Sequence, residues 1–248
     1  MERKPCKAVV STRREINKTA ATYTSLGQYR KQTCFNLLPL DSDQSWGEFT
    51  LGLGWADPLT FKQRNDGFYA DYNAGCLDIH AYVRFATEAL RQQGLAAAHE
   101  AHAQFMQQVI QPAIKPQALE LVEQHRQQGD TLVMVTATNE FVTTPIAKAF
   151  GMDVLLAVQL VRDADGNFTG EIDGVPTLRE GKVTRVNQWL AAQGLSLSEV
   201  HATFYSDSMN DLPLLENVDV PVVTNGGPAL KQIAQERGWR ILDLFETS

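Results

Sequence analysis

Two aspartates, Asp207 and Asp211, are the residues whose type and spacing most directly indicate chemistry. They follow a short apolar run at residues 202–205 and precede an apolar helical pattern, which predicts a strand-to-helix junction. Carboxylates at such a junction suit Mg²⁺, which takes oxygen ligands and usually borrows further ones from a phosphate. A polar turn followed by a helix N-cap is the alternative, because Asp, Ser and Asn are also preferred there.

Two further junctions carry groups that suit an anion. Residues 136–139, Thr-Ala-Thr-Asn, follow an apolar run and offer a hydroxyl and backbone amides at a predicted helix start. Lys182 stands at the start of another predicted helix, where it offers a positive charge for a phosphate. Thr136 as a strand or cap residue and Lys182 as a solvated helix residue are the plainer interpretations. Together with the paired aspartates, however, these groups indicate one combined phosphate and metal site.

Alternating patterns after residue 116 describe the elements that must position these groups. Strands are predicted at residues 131–135, 154–161, 168–172, 202–205, 221–224 and 241–244, and helices at 116–128, 143–150, 182–192 and 228–237. Strands separated by helices predict an α/β fold with a parallel sheet in three layers, a Rossmann-like core. The carboxyl ends of such strands meet at one edge, where ligands bind.

The preceding part of the chain reads differently, because helical patterns follow one another there without strands. Asp57-Pro58 and Asp78 mark helix starts, and aromatic residues recur at helical spacing. We expect a compact helical module over residues 37–115, with the aromatic stripe as its core, and an α/β core over residues 116–248.

Composition limits the classes of function. A net charge of −7 argues against general nucleic-acid binding. The three cysteines are scattered and form no pair typical of a zinc site or a disulfide framework, and no apolar run is long enough to span a membrane. These features predict a cytoplasmic protein with no membrane association, and they leave the oligomeric state undetermined.

Residues 1–36 form an atypical basic segment with a net charge of +6, against −13 for the remainder. The segment has neither a clear helical or strand period nor the apolar region of a secretory signal. We expect a disordered or replaced tail here.

The motifs around Thr136, Lys182 and Asp207 resemble those of the haloacid dehalogenase superfamily, in the branch related to phosphoserine phosphatase. The resemblance covers residues 37–248 and implies an α/β core with an inserted helical cap, Mg²⁺ as cofactor and a small phosphorylated metabolite as substrate. It implies Thr136, Lys182 and Asp207 as catalytic residues and Asp207 with Asp211 as metal ligands. The residues implied to bind substrate are Asp41, Thr136, Ala137, Thr138, Asn139, Lys182 and Asn210.

The first motif of that family, an apolar strand ending in Asp-x-Asp-x-Thr, is absent from the sequence. The family's continuation matches residues 37–43, Leu-Leu-Pro-Leu-Asp-Ser-Asp, so counting back places Gln32 at the nucleophile, Cys34 at the acid/base and Asn36 at the threonine. Neither Gln nor Cys replaces a carboxylate in this chemistry.

Three explanations are open for the missing motif. The first 36 residues can be a replaced stretch in an impaired phosphatase, which is the interpretation we favour. Asp41 and Asp43 can substitute, since residues 41–45 read Asp-x-Asp-x-Ser, although Pro39 argues against a central strand before them. Finally, the chain can be a non-catalytic phosphate- or metal-binding protein, or an interaction protein that uses its basic N-terminal tail.

Overall fold

The structure, a computed structural model, describes residues 30–35 and 41–245. Seven strands form one sheet: β1 (Arg30–Phe35), β2 (Thr131–Asn139), β3 (Val154–Arg162), β4 (Phe168–Asp173), β5 (Val200–Ser206), β6 (Val220–Thr224) and β7 (Arg240–Leu242). Their order is β4-β3-β2-β1-β5-β6-β7, and all neighbours are parallel except the β3–β4 hairpin. The predicted α/β fold with a parallel sheet is confirmed.

Helices fill the rest of the described chain. Before β2 lie α1 (Ser42–Gly52), α2 (Pro58–Asn73), α3 (Ile79–Ala86), α4 (Glu88–Gln93), α5 (Leu95–Phe105), a π-helical turn (Met106–Ile110), α6 (Gln111–Ala113) and α7 (Pro116–Gln127). After it lie α8 (Glu140–Ala149), α9 (Glu180–Ala191), α10 (Leu212–Leu215) and α11 (Pro228–Arg237). No helix of residues 30–35 and 41–245 is long and apolar enough to cross a bilayer.

Alternating side chains of the sheet divide the core into two layers. Leu132 and Met134 of β2 pack on one face with α7 and α8, whereas Val133 and Val135 pack on the other with α9, α10 and α11. This period of two places helices on both faces of the sheet, as the three-layer prediction requires.

Aromatic residues of the helical segment ahead of β2 pack in the same core cluster as β2 and α8. The ring of Trp46 lies 5.3 Å from that of Phe105 and 5.7 Å from that of Phe141, and Trp46 is buried. Asp57 and Asp78 accept hydrogen bonds from backbone amides at the starts of α2 and α3, as predicted. Trp46 therefore packs in the core as predicted, whereas Tyr69 of the aromatic stripe is exposed and α2 contains no buried residue.

Strand β1 comes from the end of the basic segment. Arg30–Phe35 pairs with both β2 and β5 and so takes the place of the central first strand. Without β1, the facing edges of β2 and β5 would present unpaired backbone N–H and C=O groups. An extended segment can form hydrogen bonds with these groups whatever its side chains are. Residues 1–29, which carry most of the basic tail, and residues 36–40, which include Asn36, lie outside the described residues.

Strand β2 is longer than predicted. It runs to Asn139, four residues beyond the expected end, and helix α8 begins at Glu140. An irregularity in its pairing with β3 between Val135 and Asn139 accommodates the extension. The Thr-Ala-Thr-Asn run is thus extended backbone, not the opening of a helix.

Candidate active site

A cavity of about 1810 Å³ opens between the carboxyl ends of the central strands and the helical segment. It brings together most of the predicted site residues, namely Asp41, Asp43, Thr136, Ala137, Thr138, Lys182, Asp207 and Asn210. These residues come from four separate stretches of the chain, so only the fold makes them neighbours.

Lys182 and Asp211 form the base of the site. The Lys182 Nζ lies 2.5 Å from Asp211 Oδ1, and both side chains are almost fully buried. Ser206 Oγ donates to the other Asp211 oxygen at 2.7 Å, and Lys182 Nζ donates to the Val135 carbonyl at 3.4 Å. The lysine is therefore fixed in position below the cavity.

Gly181 is needed to place this lysine at the start of α9. A Cβ at Gly181 would lie 2.0 Å from the carbonyl oxygen of Pro176, so no other residue fits without moving the loop. Arg179, just before the helix, has a positive φ of 53°, which is uncommon for a residue other than glycine. Its guanidinium donates to the carbonyl of Gly75 at the end of α2, which ties this loop to the helical segment.

Asp207 follows the end of β5 and reaches the cavity. Its burial between protein groups and the nearby charge of Asp211 raise its pKa to about 6, against the lowering effects of a backbone hydrogen bond and Lys182. A divalent cation would relieve the repulsion between the two carboxylates, so the donor chemistry fits Mg²⁺.

The two predicted metal ligands differ in the structure. Both oxygens of Asp211 already contact Lys182 or Ser206, whereas Asp207 faces the cavity. Within residues 30–35 and 41–245, no group of three or more His, Cys, Asp or Glu side chains is arranged to hold a metal. A cation here would accordingly take its other ligands from water, backbone or phosphate oxygens.

Asp43 also lines the cavity, beside the end of β2. Burial and the neighbouring charge of Asp41 raise its pKa to about 8, and hydrogen bonds from Thr138 and Tyr82 lower it less. Asp41 is the N-cap of α1 and accepts hydrogen bonds from the amides of Asp43 and Gln44, both at 3.0 Å. Asp43 is therefore largely protonated at neutral pH.

The end of β2 supplies both cavity-lining groups and anchors. Thr136 Oγ1 accepts from the Thr138 amide at 3.2 Å, and Thr138 Oγ1 lies 3.2 Å from Ser42 Oγ. Asn139, a predicted substrate contact, does not line the cavity. Its side chain caps α8 by accepting from the Val142 amide, and its amide nitrogen lies 3.5 Å from Asp43 Oδ1.

Contacts from α2 complete the site, and sequence reasoning missed them. The Tyr72 hydroxyl lies 2.9 Å from Ser208 Oγ, and Asn210 Nδ2 donates to the Tyr72 carbonyl at 3.2 Å. Tyr72 belongs to the aromatic stripe, which was assigned wholly to packing. Nothing in its spacing separates it from the core aromatics, so the sequence carries no signal for this contact.

The register of β1 moves Gln32 away from the predicted nucleophile position. Gln32 pairs with Thr131 and Ala202, which lie five residues before Thr136 and Asp207 on their strands. That separation corresponds to roughly 16 Å along the sheet. The Gln32 side chain is buried, and its Oε1 has no hydrogen-bond partner among the described residues.

Comparisons with known proteins identify relatives of this chain. The chain is 40% identical over 208 residues to a histidinol-phosphatase from Neisseria meningitidis serogroup C (strain 8013), covering 84% of this chain and 94% of that protein. A phosphoserine phosphatase, SerB1, from Mycobacterium tuberculosis (strain ATCC 25618 / H37Rv) is 35% identical over 124 residues, or 50% of this chain and 39% of that protein.

Solved structures show the same fold. A protein of unknown function from Bordetella pertussis Tohama I superposes with a TM-score of 0.82 at 44% identity, over 88% of this chain and all of that one. A substrate-bound phosphoserine phosphatase superposes with a TM-score of 0.61 over 88% of this chain and 94% of that one, and its 16% identity supports the fold alone. Residues 37–216 match the haloacid dehalogenase-like hydrolase family, and with these relatives the match shows that the chain belongs to it.

Proposed function

We propose that this protein binds and hydrolyses a small phosphate monoester with the help of Mg²⁺. The observation that carries the proposal is the buried Lys182–Asp211 pair, held at the base of a cavity that also contains Thr136 and Asp207. Phosphoryl transfer depends mainly on positioning the phosphoryl group and neutralising its charge, and this arrangement provides both.

Each residue has a distinct role in this proposal. The Lys182 ammonium binds phosphoryl oxygens while Asp211 and the Val135 carbonyl hold it in place. The Thr136 hydroxyl and the amides that follow it bind the same group from the β2 side. Asp207 would hold Mg²⁺, which when bound neutralises phosphoryl charge.

None of the candidate nucleophiles among the described residues is well suited to attack phosphorus. Asp43 is unsuited to attack phosphorus, since a carboxyl with a pKa of about 8 is mostly neutral at pH 7 and a neutral acid is a poor nucleophile. Asp41 is committed to capping α1. Gln32 is an amide and lies below the site. We therefore infer that phosphate binding is retained and that hydrolysis is impaired.

Asp41 indicates the kind of leaving group. Its carboxylate lines the cavity and favours a substrate that carries a positive charge beyond its phosphate. Histidinol phosphate and phosphoserine, the compounds in the names of the two phosphatase relatives, both carry an amine. An amine-bearing phosphate monoester is accordingly the substrate class that we propose.

Calorimetric titration with orthophosphate in the presence of Mg²⁺, together with hydrolysis of an aryl phosphate, tests the proposal. Wild type should bind phosphate, and Asp207→Asn and Lys182→Met should each weaken that binding at least tenfold. Phosphate binding unaltered by both substitutions would exclude this site. Slow hydrolysis that disappears in Asp41→Asn would instead identify Asp41 as essential, and binding without any hydrolysis would mark a non-catalytic phosphate-binding protein.

A further inference from the structure

The C-terminal end of α2 is fixed to the two loops that carry the charged residues of the site. Helix α2 contains no buried residue, so the polar contacts at its end matter for its position. The Tyr72 carbonyl accepts from Asn210 Nδ2 at 3.2 Å, in the turn after β5. The Gly75 carbonyl accepts from the guanidinium of Arg179, in the loop before α9. The end of α2 is therefore held against both loops.

The Tyr72 hydroxyl lies near the ion pair at the base of the site. Tyr72 lines the cavity, and its hydroxyl oxygen lies 2.9 Å from Oγ of Ser208, the residue directly after Asp207. Burial raises the pKa of Tyr72 above its usual value of 10, and the hydrogen bond with Ser208 opposes this rise. The charges of Lys182 and Asp211 also act on this pKa, in opposite directions. The hydroxyl therefore keeps its proton at neutral pH and lies within electrostatic reach of both members of the pair.

Ser208 can orient the hydrogen of this hydroxyl. Ser208 Oγ accepts from the Asn210 amide at 3.2 Å, and either oxygen can be the donor in its contact with Tyr72. When Ser208 donates to the Tyr72 oxygen, the single hydrogen of Tyr72 is left for an acceptor in the cavity. A charged phosphoryl oxygen is a stronger acceptor than a neutral hydroxyl, so a bound phosphate favours this arrangement. The donors then form a chain from a backbone amide through two hydroxyls to the anion.

A phosphate in this cavity needs donors besides Lys182. The Lys182 ammonium is already paired with Asp211, and Asp207 adds a further carboxylate to the same cavity. An anion therefore gains less from Lys182 than it would from an unpaired lysine. A neutral hydroxyl adds a hydrogen bond without adding another buried charge. Tyr72 meets this need from the helical segment.

We propose that Tyr72 is a further phosphate-binding residue, whose hydroxyl, oriented by Ser208, donates to an oxygen of the phosphoryl group held at Lys182. The inference rests on the proposed function, because it concerns the same site. It assigns ligand binding to α2, which the aromatic pattern of the sequence assigns to packing. The helical segment then helps to hold the phosphoryl group itself.

Two substitutions separate this role from a structural one. Tyr72→Phe keeps the aromatic ring and deletes only the hydroxyl. Ser208→Ala removes the neighbouring hydroxyl and leaves that of Tyr72 in place. Comparing them distinguishes a hydroxyl that contacts the phosphate from one that only ties α2 to the turn after β5.

Tyr69 provides the matched control. It precedes Tyr72 by one turn of α2 and lines the same cavity, but 52% of its surface is exposed. Tyr69→Phe therefore removes an equivalent hydroxyl from the same helix without touching the contact with Ser208.

The experiment is calorimetric titration of the full chain with orthophosphate, with Mg²⁺ present. Tyr72→Phe should bind phosphate about tenfold more weakly than wild type, because a hydrogen bond to a charged group is lost. Tyr69→Phe should bind phosphate as wild type does. Wild-type affinity in Tyr72→Phe, or an equal loss in Tyr69→Phe, would overturn the assignment.

The double variant decides whether the hydroxyl acts directly. If Tyr72 donates to the phosphate, adding Tyr72→Phe to Ser208→Ala should still weaken binding, by about threefold or more. A hydroxyl that acts only through its contact with Ser208 has no further effect once that partner is gone. Identical affinities of Ser208→Ala and the double variant would therefore overturn direct donation.

The outcomes also separate this inference from the proposed function. Phosphate binding unaltered by Lys182→Met and by Asp207→Asn would contradict the proposed site, and the role of Tyr72 would fall with it. Binding that both of these substitutions weaken and that Tyr72→Phe leaves unaltered would keep the proposed function and refute only the role of Tyr72.

Discussion

Lys182 and Asp211 form an ion pair of 2.5 Å in which both side chains are almost completely removed from solvent. The aspartate therefore acts first as the partner of the lysine, and Asp207 is left as the carboxylate that faces the cavity. An ion pair this deep depends on both members being present, since either charge alone would be buried without compensation.

Substitution of one member of the pair should be costly. Lys182→Met leaves the Asp211 carboxylate buried without its cation and should lower the free energy of unfolding by about 3–5 kcal/mol. The double variant Lys182→Met with Asp211→Asn should recover most of that loss, because no charge remains buried while Ser206 keeps an acceptor. Urea unfolding followed by circular dichroism measures both. Equal stability of the single variant and wild type would show that the pair is not buried as described.

Adding a single methyl group at Gly181 should disturb both the loop before α9 and the position of Lys182. Gly181→Ala forces the loop at Pro176 to move, because its Cβ would lie 2.0 Å from a backbone oxygen, and the shift displaces Lys182. We expect a loss of stability and of phosphate affinity, read by unfolding and by titration. Gly67→Ala, within α2 where a Cβ meets nothing within 4 Å, is the matched control and should stabilise by about 0.5–1 kcal/mol. Similar behaviour of the two variants would contradict the close contact.

Gln32 tests the register of β1. Its buried Oε1 has no partner among the described residues, so Gln32→Met should leave stability unchanged or raise it by about 1 kcal/mol. Gln32→Asp should destabilise by several kcal/mol, because it buries a charge. Neither should alter phosphate affinity beyond its effect on folding, since Gln32 lies below the site. A direct loss of phosphate binding in Gln32→Met would place Gln32 in the cavity, as counting from the sequence suggests.

Asp43 should make stability depend on pH. Its pKa is raised from 3.8 to about 8 in the folded protein, so the native state holds a proton that the unfolded chain releases. The stability contribution of this group therefore falls as pH rises from about 4 to about 8 and is flat above that range. Asp43→Asn resembles the protonated form and should gain stability relative to wild type across the same range. Unfolding free energies at several pH values check this, and parallel curves for the two proteins would contradict it.

The sequence predicts those parts of the fold that local pattern determines. The junction at Asp207, the caps Asp57 and Asp78, and the bounds of α11 all follow from residue type and short-range spacing, and the structure agrees with each. The parallel sheet follows from the alternation of these elements.

Pairings between distant segments could not be predicted in this way. The position of Gln32 depends on the register of β1 against two strands that are distant in sequence, and no local pattern within residues 30–35 sets that register. The contact of Arg179 with Gly75 and that of Tyr72 with Ser208 join segments far apart in sequence. The sequence also does not predict that Asp211 is the buried partner of Lys182, because only the fold brings α9 and the turn before α10 together.

The central place of β1 also affects how the chain can fold. Its neighbours are β2, which follows only after the whole helical segment, and β5, which lies near the C-terminal end. During synthesis the first strand must wait until most of the chain has emerged from the ribosome before both its edges are covered. Contacts between segments so far apart in sequence form slowly. Until they form, a strand with few apolar side chains is less prone to aggregation than a hydrophobic one. Chaperone dependence and refolding rate are therefore properties in which this chain should differ from relatives whose first strand is apolar.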